Sequence, residues 1–391
     1  TTLVEAILHH LGQTDRMGRT EDGTTFCDYT DEEKARGLSI YSTVVRLETK
    51  KNRINLLDLP GAPDFIGEVK SAIRVVDGVI FVLDATSGVE IETERSWEYA
   101  DQYQLPRIVV INKLDKERSD FEKTFKQLGQ ILKAPFVPFH LPIGKELDFK
   151  GIVDLVRMKA LYFDAKGKVQ NESDIPDDLK AEAESWREKI MDFAAETDET
   201  VMAKYLEGEA LSSEEIAAGL KKGVLAGTCV PVFCSSAIKL IGVSNLLDSI
   251  LNYLPSPDQR EPLEVTLPGG GTEQLKPSPE GPLAAYIFRT TVDPFAGRLA
   301  FYRVFSGTMS LEKPFYNATV GRSERANNLL DVSGKQTTNI NRATAGDIGA
   351  IPKLETVKAG HTLCEENHPV VIPPVTYPQA VIQMALTAPS K

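Results

Sequence analysis

The stretch Asn55-Leu56-Leu57-Asp58-Leu59-Pro60-Gly61-Ala62-Pro63-Asp64-Phe65 decides the fold. It reads as a buried strand that ends on an acidic residue and then turns at Pro-Gly. A nucleotide-dependent switch needs that arrangement. A carboxylate at the strand end reaches a magnesium ion through water, and a glycine without a side chain lets its backbone N–H approach a terminal phosphate. Loss of that phosphate breaks the glycine bond and frees the segment that follows. The same residues also describe an ordinary strand ending in a turn, because D-x-P-G is short. The rest of the chain has to separate the two readings.

Working outward, residues 41–49 and 53–58 read as two strands joined at Lys50-Lys51-Asn52. Before them, residues 13–38 are polar, contain Gly18, Gly23 and Gly37, and predict a long functional loop ending in Arg36-Gly37-Leu38-Ser39-Ile40. Residues 1–11 have apolar positions at helical spacing. His9 and His10 are adjacent and point to different faces of that helix, which argues against a shared metal. Downstream, helices over 66–75 and 91–103 alternate with continuously apolar strands over 78–83 and 107–111. That alternation predicts a doubly wound α/β sheet.

Asn112-Lys113-Leu114-Asp115 falls at the carboxyl end of the second apolar strand, where ligands bind in such sheets. An aspartate there can accept two parallel hydrogen bonds from guanine N1–H and the 2-amino group, a donor pair adenine lacks. The lysine stem can cover the base, and the asparagine can tie the loop to the phosphate-binding turn. Two motifs, each at a strand end and about fifty residues apart, are hard to produce by chance. A helix is expected over 120–132, and then the α/β rhythm breaks from about 138 to 227. Short strands near 152–155 and 160–163 and charged helices over 179–195 and 212–225 read as an insertion. Ser212 or Ser213 caps the last helix, with Glu215 close behind. Residues 229–234 give the last strand of the sheet, followed by Ser235-Ser236-Ala237, whose backbone can face a base oxygen, and a helix over 243–254.

Pro-rich and Gly-rich residues after Leu254 read as linker, and short β runs then predict a barrel. Arg289, Arg298, Arg303, Arg322, Arg325, Lys335 and Arg342 make this segment basic, either for solubility or as an RNA-facing patch. A strand expected over 380–386 has no partner strands, so the chain reads as stopping inside a further domain.

At 391 residues the chain is expected to hold two or three domains. With 42% apolar and 26% charged residues, its composition is that of a soluble globular protein. A net charge of −12 excludes a general non-specific grip on nucleic acid. The four cysteines share no metal-type spacing, which fits a reducing compartment without disulfides. No signal peptide and no apolar run of about 18 residues is present, so a cytoplasmic protein with no membrane partner is expected.

Thr1-Thr2-Leu3, Arg36-Gly37-Leu38-Ser39-Ile40, Asp58-Leu59-Pro60-Gly61, Asn112-Lys113-Leu114-Asp115 and Ser236-Ala237 follow the order of motifs in a translational GTPase. The chain resembles elongation factor G, and most of all its divergent elongation factor G-like paralogues. The insertion, Leu141-Pro142-Ile143-Gly144 with Gly151–Leu155, and Asp293-Pro294-Phe295-Ala296-Gly297-Arg298 with Arg303-Val304-Phe305-Ser306-Gly307 carry the same resemblance. Elongation factor Tu lacks such an insertion; tetracycline-protection proteins and the release-factor GTPase are nearer alternatives.

The resemblance implies a P-loop NTPase fold: a doubly wound sheet with an α+β insertion, followed by an all-β barrel. It divides the chain into a GTP-binding domain at 1–256 with the insertion at 138–227, a linker at 257–281, barrel domain II at 282–373 and the start of a third domain at 374–391. It implies a monomeric translation factor that couples GTP hydrolysis to a conformational switch on the ribosome, touching rRNA and ribosomal proteins but not DNA. GTP or GDP and Mg2+ would be its cofactors. By the same resemblance, Thr1, Ser39 and Asp58 would hold magnesium, and Thr1 and Thr2 would belong to the nucleotide site. Asn112, Lys113 and Asp115 would select guanine beside Ser236 and Ala237, and Gly61 would meet the γ-phosphate.

Three departures stand out. The sequence begins where the G-x-x-x-x-G-K motif would end, and without those glycines and lysine phosphate binding would be poor. Ser39 replaces a threonine but keeps its hydroxyl. Ala62 stands where the family has its catalytic histidine, so a GTP-dependent ribosome-binding protein with little or no hydrolysis is the alternative reading.

Overall fold

The computed structural model describes residues 1–197, 199–209, 211–293, 297–377 and 384–385. Helix α1 (Thr2–His10) opens the chain and buries Leu3, Val4, Ile7 and Leu8. The segment expected to be loop contains a short helix, α2 (Asp31–Arg36). Thr30 and Glu33 cap it reciprocally, and Gly37 ends it at φ 64°, a left-handed conformation that glycine tolerates. Six residues are too few to show an apolar period, although the T-x-x-E cap pattern is there to read. Two buried carboxylates gather the rest of this loop. Glu5 accepts from the Gly18 and Phe26 N–H groups at 2.8 and 2.6 Å, and Glu33 accepts from those of Ile40 and Tyr41, both at 3.2 Å.

Strands β1 (Thr43–Glu48) and β2 (Arg53–Asp58) form an antiparallel ribbon with Thr43 opposite Asp58. Helix α3 (Ile66–Ile73), β3 (Val79–Asp84), α4 (Ile91–Gln102), β4 (Arg107–Asn112), α5 (Phe121–Ile131) and β5 (Phe136–Pro138) follow. The insertion comes next. It is an antiparallel sheet of β6 (His140–Ile143), β7 (Gly151–Asp154), β8 (Lys159–Phe163) and β9 (Val169–Ser173), with α6 (Asp177–Glu196), α7 (Glu199–Leu206) and α8 (Ser213–Ala226). Ser212, not Ser213, caps α8 in a box with Glu215. The chain then returns through β10 (Val230–Cys234) and α9 (Val243–Tyr253).

The parallel strands lie in the order β3-β4-β10-β5, the α/β arrangement expected. Every residue of β4 and β10 is buried, which is why both read as unbroken apolar runs. Among the described residues, the β1–β2 ribbon is not hydrogen-bonded to this sheet. Between β2 and β3 runs a cleft of about 880 Å³ whose walls include Ile54, Leu56, Ile80, Val82, Leu251 and Leu254.

Residues expected to be plain linker hold a hairpin of β11 (Leu263–Thr266) and β12 (Thr272–Leu275). It turns through Gly270 and Gly271 at φ 90° and 91°, where a side chain would be strained. The barrel uses β13 (Ala284–Asp293), β14 (Gly297–Ser306), β15 (Thr308–Ser310), β16 (Phe315–Asn317), β17 (Arg322–Glu324), β18 (Leu329–Ser333), β19 (Gln336–Ile340), β20 (Arg342–Thr344), β21 (Ile348–Pro352) and β22 (Thr362–Cys364). Eight of these form one antiparallel sheet in the order β17-β16-β22-β13-β14-β21-β18-β19, and β15 pairs with β20. The strand expected over 380–386 lies outside the described residues, Met384 and Ala385 apart, as do Pro294, Phe295 and Ala296.

The barrel packs directly on the first part of the chain. Val44 and Val75 share a core with Tyr286, Phe288, Phe301 and Leu330. The Gly334 N–H donates to the Val44 carbonyl at 2.8 Å, and the Arg46 N–H donates to Ser333 Oγ at 3.0 Å. Asp331 pairs with Arg53 at 3.2 Å and also with Arg46. A Cβ at Gly334 would come within 2.6 Å of the Phe26 ring, so only glycine fits this contact. The proposed basic patch is correspondingly reduced. Arg289 and Arg303 are buried in this interface, and Arg298 donates to the Glu355 and Val357 carbonyls. Arg322, Arg325, Lys335 and Arg342 remain exposed.

Candidate functional site

Thr1, the residue before α1, Asp58, the last residue of β2, and Ser39, just after α2, come together although they are far apart in sequence. Thr1 Oγ1 donates to Asp58 Oδ2 at 2.7 Å and lies 3.0 Å from Ser39 Oγ. Ser39 Oγ donates in turn to Asp28 Oδ1 at 2.7 Å. The two hydroxyl oxygens are thus brought into hydrogen-bond contact, and either can donate to the other.

Among the described residues no group of three or more His, Cys, Asp or Glu side chains is placed to hold a metal ion. The donors assembled here are instead two hydroxyls and two carboxylates, an all-oxygen set that fits a hard cation such as Mg2+. Burial, opposed by the Ser39 bond and reinforced by the Asp58 charge, raises the Asp28 pKa. Burial, reinforced by the Asp58 charge, pushes the neighbouring Cys27 thiol well up, so it stays protonated.

A second group stands at the ends of β3, β4 and β10. Asn112 is buried and its Oδ1 accepts the Ala237 N–H at 3.0 Å. It thus ties the loop to Ser236-Ala237. Ser236 is fully buried, exchanges backbone bonds with Ile241 at 3.1 Å, and its Oγ accepts the Lys239 N–H at 3.1 Å. Lys113 has φ 64°, a left-handed conformation that non-glycine residues adopt rarely and mostly at functional sites. Its ammonium donates to Asp84 Oδ2 at 2.6 Å, which anchors the stem across the loop. Burial works to raise the Asp84 pKa, but bonds from Lys113 and Thr86 together outweigh it and hold the carboxyl below its usual value. Asp115 is half-buried and has no hydrogen bond or ion pair with a described residue.

Members of both groups line the cleft between β2 and β3: Thr1, Thr2, Asp58, Asp84, Asn112 and Lys113 do, whereas Ser39, Asp115, Ser236 and Ala237 do not. Gly61 and Ala62 lie just beyond Asp58. Gly61 is exposed, with open space where a Cβ would be, and Ala62 leads into a one-turn helix at Pro63–Phe65. Five nearby residues carry no mark in the sequence reading: Glu5, Cys27, Asp28, Glu33 and Asp84. Asp84 ends an apolar, partly buried strand on an acid, the signal that singled out Asp58, and stands in register with Asn112. Nothing local distinguishes Asp28, because the path of the folded loop alone brings it to Ser39.

Residues 1–256 match the family described as the elongation factor Tu GTP binding domain, and residues 282–366 match elongation factor G domain 2. The chain belongs to the elongation factor G family of translational GTPases. Elongation factor G of Thermotoga neapolitana is 39% identical over 393 residues, a match that covers all of this chain and 56% of that protein. A crystal structure of a protein from Thermus thermophilus matches with a TM-score of 0.84 at 31% identity, covering 98% of this chain and 55% of that one. The chain thus spans about half the length of these two relatives. That structural match runs through both the α/β unit and the antiparallel β unit that follows it.

Proposed function

We propose that this chain binds GTP and GDP with Mg2+ and hydrolyses GTP while acting on the ribosome as an elongation factor G-like switch. The observation that carries the reading is the convergence of Thr1, Ser39 and Asp58 beside a cleft that Thr1 and Asp58 line together with Asn112 and Lys113. In this reading 1–256, with its insertion, is the GTP-binding domain, 282–373 is domain II, and 374–391 begins a third.

Asp115, without a partner among the described residues, accepts the two guanine donors. Asn112 fixes the Ser236-Ala237 loop beside the base, and Lys113, held by Asp84, covers its face. The Gly61 N–H meets the γ-phosphate, and Thr2 adds a donor at the phosphates. Thr1, Ser39 and Asp58 would hold Mg2+. When bound, that ion neutralises charge that develops on the phosphates. Loss of the γ-phosphate releases Gly61 and the Ser39 loop, which is the switch. A cytoplasmic monomer contacting rRNA and ribosomal proteins follows from the family.

A second reading rests on Ala62. Its methyl group can neither orient nor polarise water, Pro63 offers no donor or acceptor, and Asp64 is an exposed anion that would repel the phosphates. On that reading the protein is a GTP-dependent ribosome ligand with little or no hydrolysis. GTP turnover by the full-length protein, with and without ribosomes, tests both. Stimulated turnover supports the enzyme. Binding without turnover supports the ligand, and absence of GTP binding removes both.

A further inference from the structure

Arg289 stands on barrel strand β13, yet its guanidinium reaches the segments on either side of the candidate phosphate site. Nη1 donates to the Ser42 carbonyl, and Nε lies 3.9 Å from Glu68 Oε2. The same Glu68 oxygen accepts the Ser42 N–H at 2.9 Å and the Ser42 hydroxyl at 2.7 Å. Ser42 is thus held at three atoms. The guanidinium is sandwiched between the Tyr41 and Phe301 rings, 5.1 and 5.0 Å from their centres. At 8% exposure it is a desolvated cation with partners on two elements at once. Ser42 closes the loop that carries Ser39, and Glu68 is in the first turn of α3, just after Gly61.

A second buried arginine on the same interface behaves differently. Arg303 donates to the Val75 carbonyl at 3.2 Å and to both Asp77 oxygens at 3.0 Å. It joins the barrel to the segment after α3, and none of its bonds goes to Ser42 or Glu68.

We propose that Arg289 is a positioning residue that clamps Ser42 and Glu68 together, so that the barrel holds the Ser39 loop and the Gly61 turn in one arrangement. Arg303 only docks the barrel. The role in turnover rests on the GTPase reading above; the clamp itself does not. A lysine cannot replace Arg289 fully, because a single ammonium lacks the planar fork that meets two partners.

Hydrogen exchange on the nucleotide-free, full-length protein tests the clamp. Arg289→Met is expected to speed exchange across residues 40–44 by about 10-fold or more, while Arg303→Met changes it by less than about twofold. Arg289→Lys should recover part of the protection. Equal effects of the two Met variants, or none from Arg289→Met, overturn the proposal. Protection in the β14–β21 ladder reports whether each variant is folded. If Arg289→Met is not, Glu68→Gln removes the partner from the other side. That variant must then loosen 40–44, and unchanged exchange overturns the clamp. In single-turnover hydrolysis on ribosomes, Arg289→Met should slow the step about 10-fold with GTP affinity held within about threefold. Exchange is read without nucleotide, so loss of the GTPase reading would leave that result standing.

Discussion

Asn112 Oδ1 accepts the backbone N–H of Ala237 at 3.0 Å, joining two buried residues 125 positions apart. This bond sets the separation of the two loops beside the proposed base site. Asn112→Ala leaves the Ala237 N–H without its partner, a cost of about 1–3 kcal/mol. Urea unfolding should show that loss, and GDP affinity should fall with it. Asn112→Asp, which keeps an acceptor, should lose less, and an unchanged urea midpoint in Asn112→Ala would sink the idea.

Asp115 makes no bond to a described residue, so its carboxylate is free to serve a ligand. Asp115→Ala should weaken GDP binding by about 3 kcal/mol through loss of two charge-assisted bonds. Calorimetric titration of the full-length protein with GDP and ADP is the check. Equal affinities for the two nucleotides would remove the guanine reading.

On the second reading, Ala62 would leave the attacking water without a side chain to orient it. Ala62→His should raise ribosome-stimulated turnover by at least ~10-fold, a barrier change of about 1.4 kcal/mol. Single-turnover rates for the two proteins decide this. A fast native protein that the substitution leaves unchanged would mean that another group positions the water.

The insertion carries a pH dependence of its own. His140 is buried on β6 against Phe233, its Nδ1 has no partner among the described residues, and burial lowers its pKa from 6.5 to about 3. The folded state keeps the ring neutral, whereas the unfolded chain takes up a proton below pH 6.5. This contribution is therefore full above pH 6.5 and is lost as pH falls towards 3. The slope within that window is about 1.4 kcal/mol per pH unit. His140→Leu should flatten the dependence. Denaturant midpoints at neutral pH and near pH 5 would show it, and parallel profiles for the two proteins would count against it.

The sequence exposes some of this and hides the rest for physical reasons. Strands β4 and β10 are legible because burial on both faces demands unbroken apolar runs. Asn112 is legible because it ends such a strand on a polar residue, and Asp58 because it ends the apolar run Leu56-Leu57, although β2 is only partly buried. The hairpin β11–β12 is not, since its strands are four residues each and its turn is a glycine run that looks like linker. The roles of Arg289 and Arg303 are hidden too. Composition counts their charge, and only the packed interface shows that Ser42 and Asp77 take it up. Asp28 needs the folded loop before its contact with Ser39 exists.

The β1–β2 ribbon has its own mechanical consequence. It is joined to the barrel through Val44, Arg46 and Arg53, and Val44 stands opposite Leu57, the residue before Asp58. Barrel contacts therefore run along the whole ribbon, from Arg53 at one end to within one residue of the carboxylate at the other. A shift of the barrel is passed directly to Asp58, and about 1 Å is large enough to spoil a reacting geometry. The aim of a carboxylate in the first domain is thus set from the second, and a substitution at Asp331 or Ser333 would act as a sighting error at a distance.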